Sequence, residues 1–146
     1  IALLCDVIIA DERALIGDPH VKVGLVAGDG GAVIWPQLIG FTRAKEMLLT
    51  GEMLRGSEAA AMGLINYAVP ADELDAKVDD MVGKILANPR WAVRWTKTAV
   101  NLVLRDIANK VMEPAIAYEV SSNAMQDRQE AINAFVEKRA PNYTGG

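Results

Sequence analysis

The chain has 146 residues, of which 51% are hydrophobic and 23% are charged, and its formal net charge is −4. This length fits one domain with enough apolar residues to bury a core. Acidic and basic residues are interspersed, so nucleic acid and anionic membranes are poor candidate partners and we expect a small ligand. The single cysteine, Cys5, excludes a disulfide framework within this chain and favours a reducing, cytoplasmic setting. The chain begins with apolar residues and without methionine, which suggests that it is the C-terminal part of a longer protein.

Aliphatic residues dominate the first ten positions. This pattern predicts a strand or buried segment of an α/β core, with Cys5 as an inert buried thiol. Residues 14–16 form a second apolar run, which the Gly17-Asp18-Pro19 turn closes. The glycine-rich segment 17–31 then carries the only histidine, His20, and two carboxylates. It is therefore the first place to look for chemistry.

The remainder of the chain is helical in pattern, with one further strand over residues 64–69. Thr42 is expected to cap one of the helices. Apolar pairs at helical spacing, Trp91 with Trp95 and Met112 with Ile116, are interpreted as helix packing. The predicted helices cover residues 32–39, 44–49, 57–63, 74–86, 91–104, 107–124 and 126–139.

Several motifs occur together in a fixed order along the chain. They are Cys5-Asp6-Val7-Ile8-Ile9-Ala10, Gly17-Asp18-Pro19, Val23-Gly24-Leu25, Gly28-Asp29-Gly30-Gly31, Leu49-Thr50-Gly51, residues 59–65 and residues 134–139. In order and spacing they resemble the enoyl-CoA hydratase/isomerase (crotonase) family, over nearly the whole chain and as the C-terminal half of its subunit.

The resemblance implies an α/β fold in which residues 1–70 complete a spiral of ββα units. Residues 71–146 would form a helical region for trimerisation and CoA contact, in homotrimers or hexamers. The implied substrate is an acyl-CoA thioester, and no metal or cofactor is expected beyond the CoA that belongs to the substrate. Two backbone N–H groups would stabilise the enolate intermediate, and these groups, with the first catalytic glutamate, belong upstream of Ile1.

His20 occupies the position of the family's second catalytic glutamate. With an ordinary pKa of about 6.5, a histidine can still transfer protons, using one ring nitrogen while a carboxylate orients the other. Either Asp29 or Asp18 could supply that carboxylate, or Asp29 could itself act as a catalytic group facing the acyl chain. The alternatives are that His20 only hydrogen-bonds its turn and that Asp29 only caps the following helix.

The resemblance also implies substrate-binding residues. Gly28, Gly30 and Gly31 would approach the acyl group, with a free N–H at Gly28. Phe135 and Lys138, three residues apart on one helix, would contact the CoA of a neighbouring subunit. The alternative for this pair is a core phenylalanine beside a solvated lysine.

The resulting prediction is an acyl-CoA enzyme of the hydratase type, with an isomerase, decarboxylase or hydrolase as related possibilities. His20 and Asp29 are its candidate catalytic residues. The alternatives are a catalytically silent acyl-CoA-binding or assembly subunit, and a fragment that is inactive because it lacks the oxyanion hole.

Overall fold

The computed structural model describes residues 1–146, and its mixture of helices and strands confirms the predicted α/β class. Short 3-10 helices cover Ala2–Leu4, His20–Val23 and Ala71–Glu73. None of the helices is both long and apolar enough to cross a bilayer. The strands are β1 (Ile9–Asp11), β2 (Leu15–Gly17), β3 (Met53–Arg55) and β4 (Tyr67–Val69). The α-helices are α1 (Gly31–Ile39), α2 (Phe41–Thr50), α3 (Gly56–Met62), α4 (Leu74–Leu86), α5 (Arg90–Asn123) and α6 (Gln126–Glu137).

The chain divides into two compact units. One consists of Ile1–Ile16 with Leu54–Asn109, and the other of Gly17–Met53 with Lys110–Gly146. The predicted division is a single boundary at residue 70 between a spiral core and an assembly region, whereas each compact unit combines two separate segments of the chain. The boundary at residue 70 stays a prediction.

In the first unit, β1 and β4 pair in parallel, with Ile9 opposite Tyr67. Parallel neighbours require a crossover, and α3 lies within the connection and contacts both strands. Ala59 of α3 is fully buried, and Leu64 is 1% exposed just after the helix. The core of this unit therefore lies where α3 covers the strand pair.

Two strand predictions in this unit are too long. The N-terminal strand covers only Ile9–Asp11, because these are the residues that find a partner in β4. Before it, the chain turns through a 3-10 helix in which the Leu4 N–H donates to the Ile1 carbonyl. Ile1 is fully exposed and Cys5 is exposed, so the prediction of a buried thiol is wrong. Similarly, β4 begins at Tyr67, because the chain leaves α3 through a buried loop.

In the second unit, α1 and α2 form a helical hairpin whose joint is a single residue, Gly40. Its N–H closes α1 by donating to the Pro36 carbonyl, and its carbonyl accepts the Ala44 N–H at the start of α2. Gly40 adopts a φ of 78°, which favours glycine, and it is the N-cap of α2. The predicted Thr42 cap is therefore wrong, because Thr42 already lies inside the helix. The hairpin buries Val33, Ile34, Trp35, Ala44 and Met47.

The C-terminal helices are fewer than predicted. One continuous helix, α5, replaces the two predicted over residues 91–124, because the Arg105-Asp106 junction carries no helix-breaking residue. Trp91 and Trp95 are 55% and 66% exposed, and their interpretation as helix packing stays a prediction. Their ring centroids lie 5.5 Å apart, and the Arg90 guanidinium lies over the Trp91 ring.

Candidate functional site

His20 lies at the start of a 3-10 turn that follows β2 and the Asp18-Pro19 dipeptide. Two side chains donate hydrogen bonds to backbone carbonyl groups of this turn. The Arg128 guanidinium donates to the Val23 carbonyl at 2.9 Å, and the Tyr143 hydroxyl donates to the Lys22 carbonyl at 2.6 Å. The backbone that carries His20 is therefore anchored by α6 and the segment after it.

Asp18 is the carboxylate that orients the His20 ring. Its side chain is 10% exposed, and its Oδ1 accepts a hydrogen bond from Nδ1 of His20. The same oxygen lies 3.4 Å from the His20 backbone N–H. Because this contact makes Nδ1 the donor, the neutral ring presents Nε2 as an acceptor. The sequence left the choice between Asp18 and Asp29 open, and the geometry gives this place to Asp18.

Asp29 lies on the other side of the ring, with its Oδ1 3.7 Å from Nε2 of His20. Its side chain is 64% exposed. The N-cap of α1 is Gly30, which has a φ of 140°, and no side chain makes a cap hydrogen bond there. The interpretation of Asp29 as a helix cap is therefore wrong. Its carboxylate is available to a ligand beside the imidazole.

Glu119 is a third carboxylate at this site, and sequence reasoning missed it. It projects from α5, and one of its oxygens lies within 4.8 Å of both a His20 ring nitrogen and an Asp29 oxygen. Ninety-nine residues separate Glu119 from His20, and Glu119 belongs to no motif. The only local signal was the small residue Ala115 one helical turn earlier, which allows close packing.

Gly28 allows α5 to approach the site. A Cβ at position 28 would overlap the Ala115 carbonyl oxygen and would lie 2.9 Å from the Cβ of Glu119. The Gly28 N–H donates to the Val26 carbonyl at 2.8 Å, so the predicted free N–H is wrong. The structure thus places Gly28 at a close helix contact, and its proposed contact with substrate stays a prediction.

Gly31 makes room for Asp18 in a similar way. A Cβ at this position would overlap Oδ2 of Asp18, the oxygen that does not face His20. Both glycines therefore shape the carboxylate surroundings of the imidazole. Contacts of Gly30 and Gly31 with an acyl group stay predictions.

The surroundings of His20 shift its acid–base equilibrium. Partial burial disfavours the charged imidazolium and lowers the pKa. The hydrogen bond from Nδ1 to Asp18 and the charges of Asp18, Asp29 and Glu119 act in the opposite direction and prevail, so the pKa of His20 is raised above its ordinary 6.5. The imidazolium form of His20 is therefore favoured relative to that of a free histidine.

The same three residues could also bind a metal ion. His20, Asp29 and Glu119 each offer one ligand atom, which gives a donor set of one imidazole and two carboxylates. This set suits several divalent cations. Exposed carboxylates often cluster without binding an ion, and the predicted absence of a metal stays a prediction.

The predicted CoA-binding pair lies at the end of α6. The Phe135 side chain is 83% exposed, so the alternative of a core phenylalanine is wrong. Lys138 is exposed and is the C-cap residue of α6, with a φ of 54°, so it lies just beyond the helix and not on its face. Their contact with CoA stays a prediction.

Comparison with known proteins identifies the family. The enoyl-CoA hydratase/isomerase family model matches residues 1–146. The chain belongs to this family. It is 36% identical over 144 residues to the crotonyl-CoA hydratase of Syntrophomonas wolfei, and the match covers 98% of this chain and 55% of that protein. The chain thus spans about half the length of the curated relatives it matches.

Solved structures confirm the crotonase fold. A carnitinyl-CoA dehydratase from Mycobacterium avium 104 superposes with a TM-score of 0.92 at 30% identity, over 99% of this chain and 58% of that one. A β-diketone hydrolase from Anabaena sp. PCC 7120 superposes with a TM-score of 0.77 at 26% identity, over 83% of this chain and 49% of that one. Structures similar to this chain thus include a dehydratase and a hydrolase.

Proposed function

We propose that this chain supplies the acid–base residues of an enzyme that adds water to, or removes it from, an acyl-CoA thioester. The observation that carries the proposal is His20, fixed through Nδ1 by the buried Asp18 and facing Asp29 with Nε2. Family membership and the hydratases among the relatives support this reaction type. His20 and Asp29 are the proposed catalytic residues.

His20 is suited to transfer a proton in both directions. With Nδ1 donating to Asp18, Nε2 can accept a proton from water, and Asp18 stabilises the imidazolium that results. The raised pKa of His20 makes the imidazolium accessible near neutral pH, so the proton can be returned within the same turnover. One residue can therefore perform the work of the acid and of the base in turn.

The hydration step balances with this one residue. The water oxygen bonds to the β-carbon of the enoyl thioester while its proton moves to Nε2 of His20, and the double-bond electrons form an enolate. The enolate then takes a proton at the α-carbon, which restores neutral His20 and yields the 3-hydroxyacyl thioester. By resemblance, the N–H groups that stabilise the enolate oxygen lie in the upstream segment of the family's subunit.

The remaining residues of this proposal bind substrate. Gly28, Gly30 and Gly31 form the loop beside the imidazole, where an acyl chain would lie. The exposed ring of Phe135 and the ammonium of Lys138 would contact CoA, the latter as a charge partner for phosphate. We also propose the homotrimer or hexamer that the resemblance implies, and no cofactor beyond the CoA of the substrate.

Crotonyl-CoA is the substrate that tests the proposal. The expected result is loss of the enoyl-thioester absorbance with formation of 3-hydroxybutyryl-CoA. Tight binding of crotonyl-CoA by calorimetry without turnover would favour the silent acyl-CoA-binding subunit instead. The absence of both binding and turnover would contradict the proposal. Sedimentation in the same buffer gives the oligomeric state.

A β-diketone is the second candidate substrate. A histidine oriented by a carboxylate suits the activation of water for attack on a carbonyl, and one structural neighbour is a β-diketone hydrolase. In that reaction water adds to one carbonyl and the adjacent carbon–carbon bond breaks. The carbon that leaves as an enolate takes a proton, and the product is a keto acid. Keto acid formation from a cyclic 1,3-diketone, with no turnover of crotonyl-CoA, would favour this candidate.

A further inference from the structure

Glu119 is the ionisable group closest to the site that the proposed function does not use. It is half-buried on α5, and it reaches the imidazole because Ala115 packs directly against Gly28. A carboxylate brought this close to another, that of Asp29, raises the electrostatic cost of the folded state unless something lies between them. The question is what occupies the space between His20, Asp29 and Glu119.

The spacing of the three groups fits a water molecule. Their ligand atoms lie within 4.8 Å of one another, so a point exists that is about 2.8 Å from all three, which is a hydrogen-bond length. The 3.7 Å between Nε2 of His20 and Oδ1 of Asp29 is too long for a direct hydrogen bond, and a water that lies to one side of both atoms could bridge them. Because Nε2 of neutral His20 and both carboxylates accept hydrogen bonds, a water there could donate its two protons to two of the three groups.

We propose that Glu119 is a further catalytic residue, which holds one water molecule together with Nε2 of His20. The proposal rests on the proposed function, because that water is the molecule that adds to the substrate. During attack, the water oxygen bonds to the β-carbon, and one of its protons moves to Nε2 of His20. Glu119 accepts a hydrogen bond from the other proton, which stays on the hydroxyl group of the product.

Glu119 would thus supply a carboxylate that faces the reacting water from within this chain. His20 stands where the family's hydratases carry their second glutamate, and Glu119 comes to the same site from a different element. The chemistry is similar because a carboxylate holds the water and a second group takes its proton. The origin of the carboxylate in the fold is different.

The test uses variants on the same helix in the 146-residue chain. Glu119→Gln removes the charge with little change in shape, and Glu113→Gln is the matched control, because Glu113 is exposed on α5 and belongs to no such cluster. The first measurement is cross-relaxation between water and the His20 ring protons by NMR. Since His20 is the only histidine, its signals are unambiguous.

We expect a long-lived water signal at His20 in the wild type and in Glu113→Gln, and its loss in Glu119→Gln. Absence of this signal in the wild type, or its persistence in Glu119→Gln, would overturn the proposal. Selective broadening of the His20 signals by equimolar MnCl₂ would also overturn it, because a cation would then be the preferred occupant. None of these outcomes depends on turnover.

The second measurement is hydration of crotonyl-CoA by a subunit that includes the upstream segment implied by the resemblance, since that segment supplies the groups that stabilise the enolate. In that subunit, Glu119→Gln is expected to lower kcat by about 10²-fold or more with little change in KM. If Glu119→Gln keeps full kcat while His20→Gln loses it, the role of Glu119 is refuted and the proposed function stands. If the wild type turns over no enoyl-CoA, the proposed function fails, and the water signal still decides whether Glu119 shares this water.

Discussion

Replacing Gly28 by alanine tests whether α5 is seated against the glycine loop as closely as the structure indicates. The new Cβ would overlap the Ala115 carbonyl oxygen and would lie 2.8 Å from its carbon and 2.9 Å from the Cβ of Glu119. Two of these neighbours are backbone atoms of a long helix, so relief requires the helix or the loop to move by several tenths of an ångström. The perturbation therefore acts on packing and on the position of Glu119 together.

The expected cost of Gly28→Ala follows from two opposing effects. Overpacking of this kind destabilises by about 1 to 3 kcal/mol. The φ of Gly28 is not positive, so alanine can adopt the backbone and regains about 0.4 to 1 kcal/mol through a less flexible unfolded state. The net loss, about 0 to 2.6 kcal/mol and centred near about 1.3 kcal/mol, should lower Tm by about 3 to 5 °C at the centre of this range.

Gly83→Ala is the matched control, because a Cβ at that helical position in α4 would meet nothing within 4 Å. This variant should be stabilised by about 0.5 to 1 kcal/mol. Thermal unfolding followed by circular dichroism measures both variants. A Gly28→Ala protein as stable as Gly83→Ala would refute the close contact between the loop and α5.

Two further predictions concern charge and capping. The raised pKa of His20 means that its contribution to folding is fully present below the unfolded value of about 6.5 and is lost as pH rises through the folded value. Between pH 5.5 and 8, urea unfolding should therefore show the wild type losing stability relative to His20→Gln. Asp18→Asn should reduce this pH-dependent loss. Parallel stability curves for the wild type and His20→Gln would contradict the contact between His20 and Asp18. Thr42→Ala should change the free energy of unfolding by no more than about 0.5 kcal/mol, because Gly40 is the cap, whereas a loss of about 1 kcal/mol or more would restore the cap predicted from sequence.

Local pattern predicted the helices better than the strands. The spacing of apolar residues between Leu74 and Leu86 gave α4 with both ends correct, and Gly40 and Gly51 marked true helix ends. The run at residues 1–10 failed because a strand exists only where a partner pairs with it, and the partner of Ile9–Asp11 is more than fifty residues away. Apolar composition alone carries no information about that pairing.

The candidate site shows the same limit. The segment containing His20 was recognisable because it concentrates a histidine, carboxylates and glycines in one stretch. The role of Asp18 was not decidable, because spacing does not show which carboxylate faces Nδ1 and which faces Nε2. The sequence did not predict Glu119 as a site residue, because its approach to His20 depends on how Ala115 of α5 packs against Gly28.

The turnover of crotonyl-CoA by His20→Gln decides whether the imidazole transfers the proton. If Nε2 of His20 transfers the proton, kcat should fall by about 10² to 10⁴-fold, while KM changes little and Tm stays close to that of the wild type. Lys22→Gln, a change of the exposed side chain two residues later, should keep full activity. Unchanged kcat in His20→Gln would contradict the account, because the imidazole would then have no part in the reaction.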